Sequence, residues 1–254
     1  MGLEGKAALI TGSGQGIGRA IAIRLAKAGA DIVVNYYRHR ATADETAEAI
    51  RALGRKAVVV KAHVGEVDQL QRLFDVARQE FGYLDIFVAN AASGLPRTIS
   101  EVDLKGWDWS MNINARSLFL GAQQAGQLMA GRKAGRILAI TSLGSTRVLP
   151  NYGVIGVSKA AIDAIVRYYA VDLAPRGITV NAIAPGVVDT HALTFFPEHD
   201  RILEETLRHT PAGRLCTPED VGELAAFLCS SSAAMITGQV ITIDGGASLL
   251  PAGV

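Results

Sequence analysis

Apolar residues fall along this chain in two alternating patterns. Short continuous runs at residues 6–10, 31–35, 57–61, 84–90, 136–140, 177–184 and 240–243 are rich in Val, Ile, Leu and Ala. Between them lie longer stretches in which apolar positions recur every three or four residues. A run apolar at nearly every position is a strand buried on both faces, and a period near 3.6 is a helix with one face on a core. The predicted helices cover 19–29, 41–53, 67–81, 104–129, a stretch opening at Pro150, and 218–230, with a shorter helical pattern at 201–209. Strand and helix alternate without repeat, linker or low-complexity tract. The expected fold class is therefore α/β, one Rossmann-like domain over 1–254: a doubly wound parallel sheet of about seven strands with helices on both faces.

Composition narrows the classes of partner. With 254 residues, 49% of them apolar, the chain can bury a large core, and a net charge of +1 leaves no footprint for nucleic acid or an anionic membrane surface. No apolar run reaches spanning length and the N-terminus lacks a signal-peptide layout, so a cytoplasmic location is expected. Cys216 and Cys229 lack metal-ligand spacing, and none of the five histidines has a partner suggesting a triad, so neither a metal site nor a disulfide framework is expected.

Candidate chemistry begins at the first strand. Thr11 to Gly18 reads T-G-S-G-Q-G-I-G, followed by an amphipathic helix. Glycines let backbone N–H groups approach a pyrophosphate, and a helix N-terminus adds partial positive charge. Gly12, Ser13, Gly14, Gln15, Gly16, Ile17 and Gly18 are thus candidate contacts to a dinucleotide. The form is T-G-x3-G-x-G, with Ile17 where the commoner G-x-G-x-x-G pattern has its third glycine. The second strand runs into N-Y-Y-R-H-R, without the carboxylate that would bind a free ribose 2′-hydroxyl. Arg38, beside Tyr37 and helped by Arg40, offers a guanidinium to a 2′-phosphate instead. NADPH is therefore expected as cofactor, ahead of NADH.

A second constellation spans Ser142 to Lys159. Tyr152 precedes Lys159 by seven residues, about two helical turns, so a helix with Pro150 in its first turn would put phenol and ammonium on one face. An ammonium so placed lowers a phenol's pKa and favours proton donation.

These motifs resemble the short-chain dehydrogenase/reductase family, whose glycine turn has the T-G-x3-G-x-G form. The resemblance implies further roles. His63 and Val64 would wall the adenine, His63 standing where the family usually has Asp. Asn90, Ala91 and Ala92, in N-A-A-S-G, would border the adenosine ribose. Asn114, in W-D-W-S-M-N-I-N-A, would organise a water chain to the lysine. Ser142 would hydrogen-bond a substrate carbonyl, and Pro185, Gly186, Val188 and Thr190 would bind the nicotinamide. Ordinary members carry Y-x3-K, but Ile155 stands at that tyrosine position here. The Tyr152-x6-Lys159 spacing, with T-S-L-G-S-T-R, T-P-A-G-R and I-D-G-G-A-S-L-L, is similar to the type III enoyl-acyl-carrier-protein reductases.

That resemblance implies reduction of a trans-2-enoyl thioester, carried on acyl carrier protein or coenzyme A, in fatty acid synthesis. Hydride would land on the β-carbon while charge gathers on the thioester oxygen, so the donor must reach further than in ketone reduction. Three extra helical residues shift its attachment by about 4.5 Å. Residues 190–214 would form a substrate lid, with Leu193, Phe195 and Phe196 lining an acyl channel, and Arg201, Arg208 and Arg214 could receive an acidic carrier. A homotetramer is the implied assembly. The rivals are a 3-oxoacyl or other ketone reductase and a catalytically silent NADP-binding sensor.

Overall fold

Seven parallel strands make one sheet: β1 (Ala7–Ile10), β2 (Asp31–Tyr36), β3 (Ala57–Lys61), β4 (Ile86–Ala89), β5 (Arg136–Ile140), β6 (Thr179–Pro185) and β7 (Val240–Ile243). The computed structural model describes residues 2–132 and 134–250; the ends of the expected domain, Met1 and 251–254, lie outside the described residues. The spatial order is β3-β2-β1-β4-β5-β6-β7, as expected of a doubly wound sheet. Among the described residues eight α-helices accompany it: α1 (Gly16–Lys27), α2 (Arg40–Ala52), α3 (Val67–Phe81), α4 (Leu104–Met111), α5 (Ser117–Met129), α6 (Gly153–Leu173), α7 (His199–His209) and α8 (Pro218–Cys229).

The continuous apolar runs have a direct cause. Successive strand side chains point to opposite faces, and both faces are covered. Ile10, Ile86, Val88 and Leu138 pack with Ile21 and Leu25 of α1, Ile50 of α2 and Leu228 of α8. Leu9, Phe87, Ile137 and Val180 pack on the other side with Phe74 of α3, Leu118 of α5 and Val166 of α6. Phe74 and Phe87 meet edge to face, centroids 5.2 Å apart, and burying each such side chain contributes roughly 1.5–3 kcal/mol.

Elsewhere element ends shift by at most three residues, and three further departures have an identifiable cause. The strand expected over 84–90 is shorter, because Leu84 and Asp85 approach it and Asn90 turns away into the loop. The helix expected over 104–129 is interrupted by a π-helical turn, Asn112–Arg116, which inserts a residue and rotates the face that follows. The helix expected from Pro150 begins at Gly153. Asn151 lies in the left-handed region at φ 55°, and the Gly153 N–H donates to the Arg97 carbonyl (3.4 Å), so the chain turns before it coils.

Candidate active site

Parallel strands all end on one edge, and where the order reverses, between β1 and β4, the loops diverge and leave a crevice. A cleft of about 1490 Å³ opens there, lined by the turn after β1, the ends of β2 to β6, and the insertion between β6 and α8.

The glycine turn is held by amides. Asn35 Oδ1 accepts from the Gly12 N–H (2.9 Å) while its Nδ2 donates to the Ala62 carbonyl (3.1 Å). From the other side, Asn90 Nδ2 donates to the carbonyls of Thr11 (2.8 Å) and Gly12 (3.1 Å), and Thr11 Oγ1 accepts from the N–H groups of Asn90 and Ala91. Gly18 is a glycine because of this closeness: a Cβ there would lie 2.5 Å from Asn90 Nδ2 and collide with the Gly12 carbonyl. The resulting concavity, backbone-lined and opening onto the N-terminus of α1, fits a dinucleotide's pyrophosphate. Gly12, Gly14, Gln15, Gly16, Ile17 and Gly18 line the cleft. Ser13 does not, which corrects the expected cofactor contact: it is fully buried, donating to the Ile10 carbonyl and accepting from the Asn35 N–H. Asn35 carries no local signal of this role, because its amide acts on a turn 23 residues away in the chain.

Around the adenosine end, Tyr37, Arg38, His63, Val64, Asn90, Ala91 and Ala92 all line the cleft. The Arg38 guanidinium lies 5.9 Å from the Tyr37 ring centroid, whereas Arg40 is paired with Asp44 at 3.2 Å. Arg38 thus stands without the help expected from Arg40. The His63 ring packs edge-on against Tyr37 (4.5 Å) and tilted against Trp109 (5.1 Å), an aromatic wall that no motif announced.

The other end of the cleft holds Ser142, Tyr152, Ile155 and Lys159, with Pro185, Gly186, Val188 and Thr190 on the opposite loop. Tyr152 is the residue before α6 rather than a member of its first turn, but its carbonyl accepts the Gly156 N–H (2.7 Å), so it sits at the helix mouth. Burial raises the phenol's pKa, and the influence pulling it down is a hydrogen bond with Ser142 rather than the Lys159 charge. Lys159 is fully buried and donates from Nζ to the Ile140 carbonyl (2.7 Å); desolvation brings its pKa down to about 8, with Asp163 acting against the fall.

Asn114 is anchored through its side-chain amide. It sits in the π turn, outside the cleft lining, and its amide is occupied: Oδ1 accepts from the Ser93 N–H (2.8 Å), while Nδ2 donates to the Ser93 carbonyl (2.9 Å) and Ser158 Oγ (2.8 Å). It ties the loop after β4 to the residue preceding Lys159. In the insertion, Leu193, Phe195 and Phe196 reach the cleft, and Phe196 stacks on Tyr152 with centroids 5.9 Å apart. Two of the three arginines expected to meet a carrier are already neutralised, Arg201 by Glu205 and Glu198, Arg214 by Asp220.

Sheet order, crevice and glycine turn together define a dinucleotide-binding domain of Rossmann type. The chain belongs to the short-chain dehydrogenase/reductase family. Residues 12–248 match the family described as enoyl-(acyl carrier protein) reductase. The chain is 39% identical over 244 residues to a 1-cyclohexenylcarbonyl-CoA reductase of Streptomyces collinus, covering 95% of this chain and 86% of that protein. Versicolorin reductase 1 of Dothistroma septosporum is 39% identical over 256 residues, covering 96% and 97%. Among solved structures, a 7α-hydroxysteroid dehydrogenase complexed with NADH and 7-oxo glycochenodeoxycholic acid is similar with a TM-score of 0.91 at 36% identity, covering 96% of this chain and 95% of that one. A short-chain dehydrogenase from Burkholderia cenocepacia J2315 in complex with NADP reaches 0.89 at 34% identity, covering 97% and 99%. These two neighbours hold different nucleotides in the same fold. Among the described residues no helix is long and apolar enough to cross a membrane.

Proposed function

We propose that this oxidoreductase reduces trans-2-enoyl thioesters with NADPH, giving the saturated acyl thioester. The observation that carries the reading is the placement of Tyr152: its phenol faces Ser142 at the mouth of α6, in the same cleft that Lys159 lines, while Ile155 occupies the position at which ketone-reducing relatives carry tyrosine. A relative whose name specifies a conjugated cyclohexenylcarbonyl thioester supports the same chemistry. Arg38, lining the adenosine end without a preceding acidic residue, supports NADPH over NADH. When bound, the reduced nicotinamide supplies hydride for the β-carbon.

The chain's own residues do the rest. Tyr152 donates its proton to the thioester oxygen, where negative charge develops, and the enol so formed becomes the saturated thioester by taking a proton from water at the α-carbon and releasing the one on oxygen; a phenol held protonated by burial is suited to the first transfer. Ser142 orients the phenol and polarises the carbonyl. Lys159 supplies buried positive charge beneath the site and a hydrogen bond to the nicotinamide ribose, and Asn114 holds its neighbour Ser158. Phe195, Phe196 and Leu193 exclude water from the acyl chain. Carrier protein and coenzyme A remain the two proposed bearers of the thioester; fatty acid synthesis is the proposed setting, in the cytoplasm, and Arg208 the remaining candidate for an acidic carrier. The proposed assembly is a homotetramer, supported by the exposed Tyr168 and Val171 on α6. The test is NADPH and NADH oxidation with crotonyl and acetoacetyl thioesters. Turnover of the crotonyl thioester with NADPH is expected; turnover of acetoacetyl alone makes the chain a ketone reductase, and nucleotide binding without any turnover makes it a sensor.

A further inference from the structure

The ring of Tyr152 is seated against two residues that have no side chain. Gly144 lies in a single 3₁₀ turn, Leu143–Ser145, just after β5. A Cβ on Gly144 would fall 2.5 Å from both Cδ1 and Cε1 of Tyr152, well inside the 3.5–4.0 Å at which carbon atoms rest in contact. Gly156, in the first turn of α6, backs the same spot: a Cβ there would lie 2.8 Å from the Gly144 carbonyl oxygen and 3.5 Å from Tyr152 Cδ1. Neither glycine has a positive φ, so backbone conformation does not call for glycine at either place. Space does. Gly144 also donates its N–H to Ser142 Oγ (3.2 Å), which occupies a lone pair of that serine and leaves the hydroxyl proton for the phenol or a substrate oxygen. On the far side, Phe196 stacks on the ring at 28°.

We propose that Gly144 and Gly156 are positioning residues, which let the turn after β5 close onto the mouth of α6 and thereby set where the phenol of Tyr152 stands. The inference rests on the reading of Tyr152 as proton donor. The seat is built for a ring at position 152 and not at 155, since Ile155 is directed elsewhere, against Gly94, where a Cβ would collide with its Cγ1. A glycine in the first turn of a helix ordinarily costs stability, so Gly156 is kept against local propensity.

The test compares wild type, Gly144→Ala, Gly156→Ala and Tyr152→Phe. Each alanine variant is expected to keep its NADPH affinity, read by fluorescence titration. With crotonyl thioester, kcat should fall by about ten- to a hundred-fold, the scale of loss for a catalytic group misplaced by about 1 Å. A second readout needs no substrate: the alkaline titration of Tyr152, taken as the ultraviolet difference between each protein and its Tyr152→Phe counterpart, should shift in both variants. If wild type turns over no thioester the function falls, and the phenol titration still decides the role of the glycines. Should Gly144→Ala not fold, Gly144→Ala/Tyr152→Ala should recover folding because the obstructed ring is gone; failure of that double variant overturns the inference. So do unchanged kcat and an unchanged phenol titration in both alanine variants.

Discussion

The two ends of the cleft are built by different means. Around the glycine turn, Thr11, Asn35 and Asn90 hold the backbone by hydrogen bonds to main-chain groups, Thr11 from within the turn, Asn35 from β2 and Asn90 from the loop after β4. At the other end, the phenol of Tyr152 is placed by contact surfaces, the missing side chains of Gly144 and Gly156 and the stacked ring of Phe196. Hydrogen-bonded amides fix the backbone of the turn that faces the pyrophosphate, whatever reaction follows. Steric seats are particular to one ring at one position.

The sharpest separation of the two ends is Tyr152→Phe. It should lower thioester turnover by about 100- to 10,000-fold while leaving NADPH binding intact, as stopped-flow kinetics and fluorescence titration would show. Loss of nucleotide affinity in step with turnover would dissolve the distinction. Asn35→Ala attacks the opposite end: stranding the Gly12 N–H and Ala62 carbonyl should cost about 2–4 kcal/mol in urea unfolding and weaken nucleotide binding.

Lys159 links burial to pH. Its pKa near 8, against an ordinary 10.5, means the folded chain sheds a proton in that interval while the unfolded chain keeps it. Stability therefore rises with pH between 8 and 10.5, and below 8 the buried ammonium is a burden. Lys159→Met should be more stable than wild type below pH 8 by about 1–3 kcal/mol, and the difference should shrink as pH rises through the interval; urea midpoints across it measure this. The smallest effect is expected from Arg38→Ala, roughly a tenfold loss of NADPH affinity with NADH little changed, since its guanidinium is exposed.

Much of the fold was legible because both patterns that carry it are local. Continuous apolar runs name strands covered on two faces, and the glycine turn between strand and helix names the edge at which a cleft opens. The residues of the candidate site were legible as types and spacings: most named for the cofactor line the cleft, and so do Ser142, Tyr152 and Lys159. Ser13 and Asn114 show the limit, since their polar groups are consumed by contacts with Ile10, Asn35, Ser93 and Ser158 that no spacing discloses. The π turn at Asn112–Arg116 was hidden for a related reason: it keeps helical composition while changing the register.

The amino-acid sequence by itself determined the layer architecture, the nucleotide turn and the family, all consequences of hydrophobic period and of glycine at short range. Tertiary structure alone decided that the helix after Pro150 starts late, that Lys159 answers to Ile140 and Asp163 rather than directly to the phenol, and that Gly144 makes room for a ring eight residues away. Those outcomes depend on which surfaces meet when the turn after β5 folds against α6, and close packing between segments leaves no periodic trace in the chain.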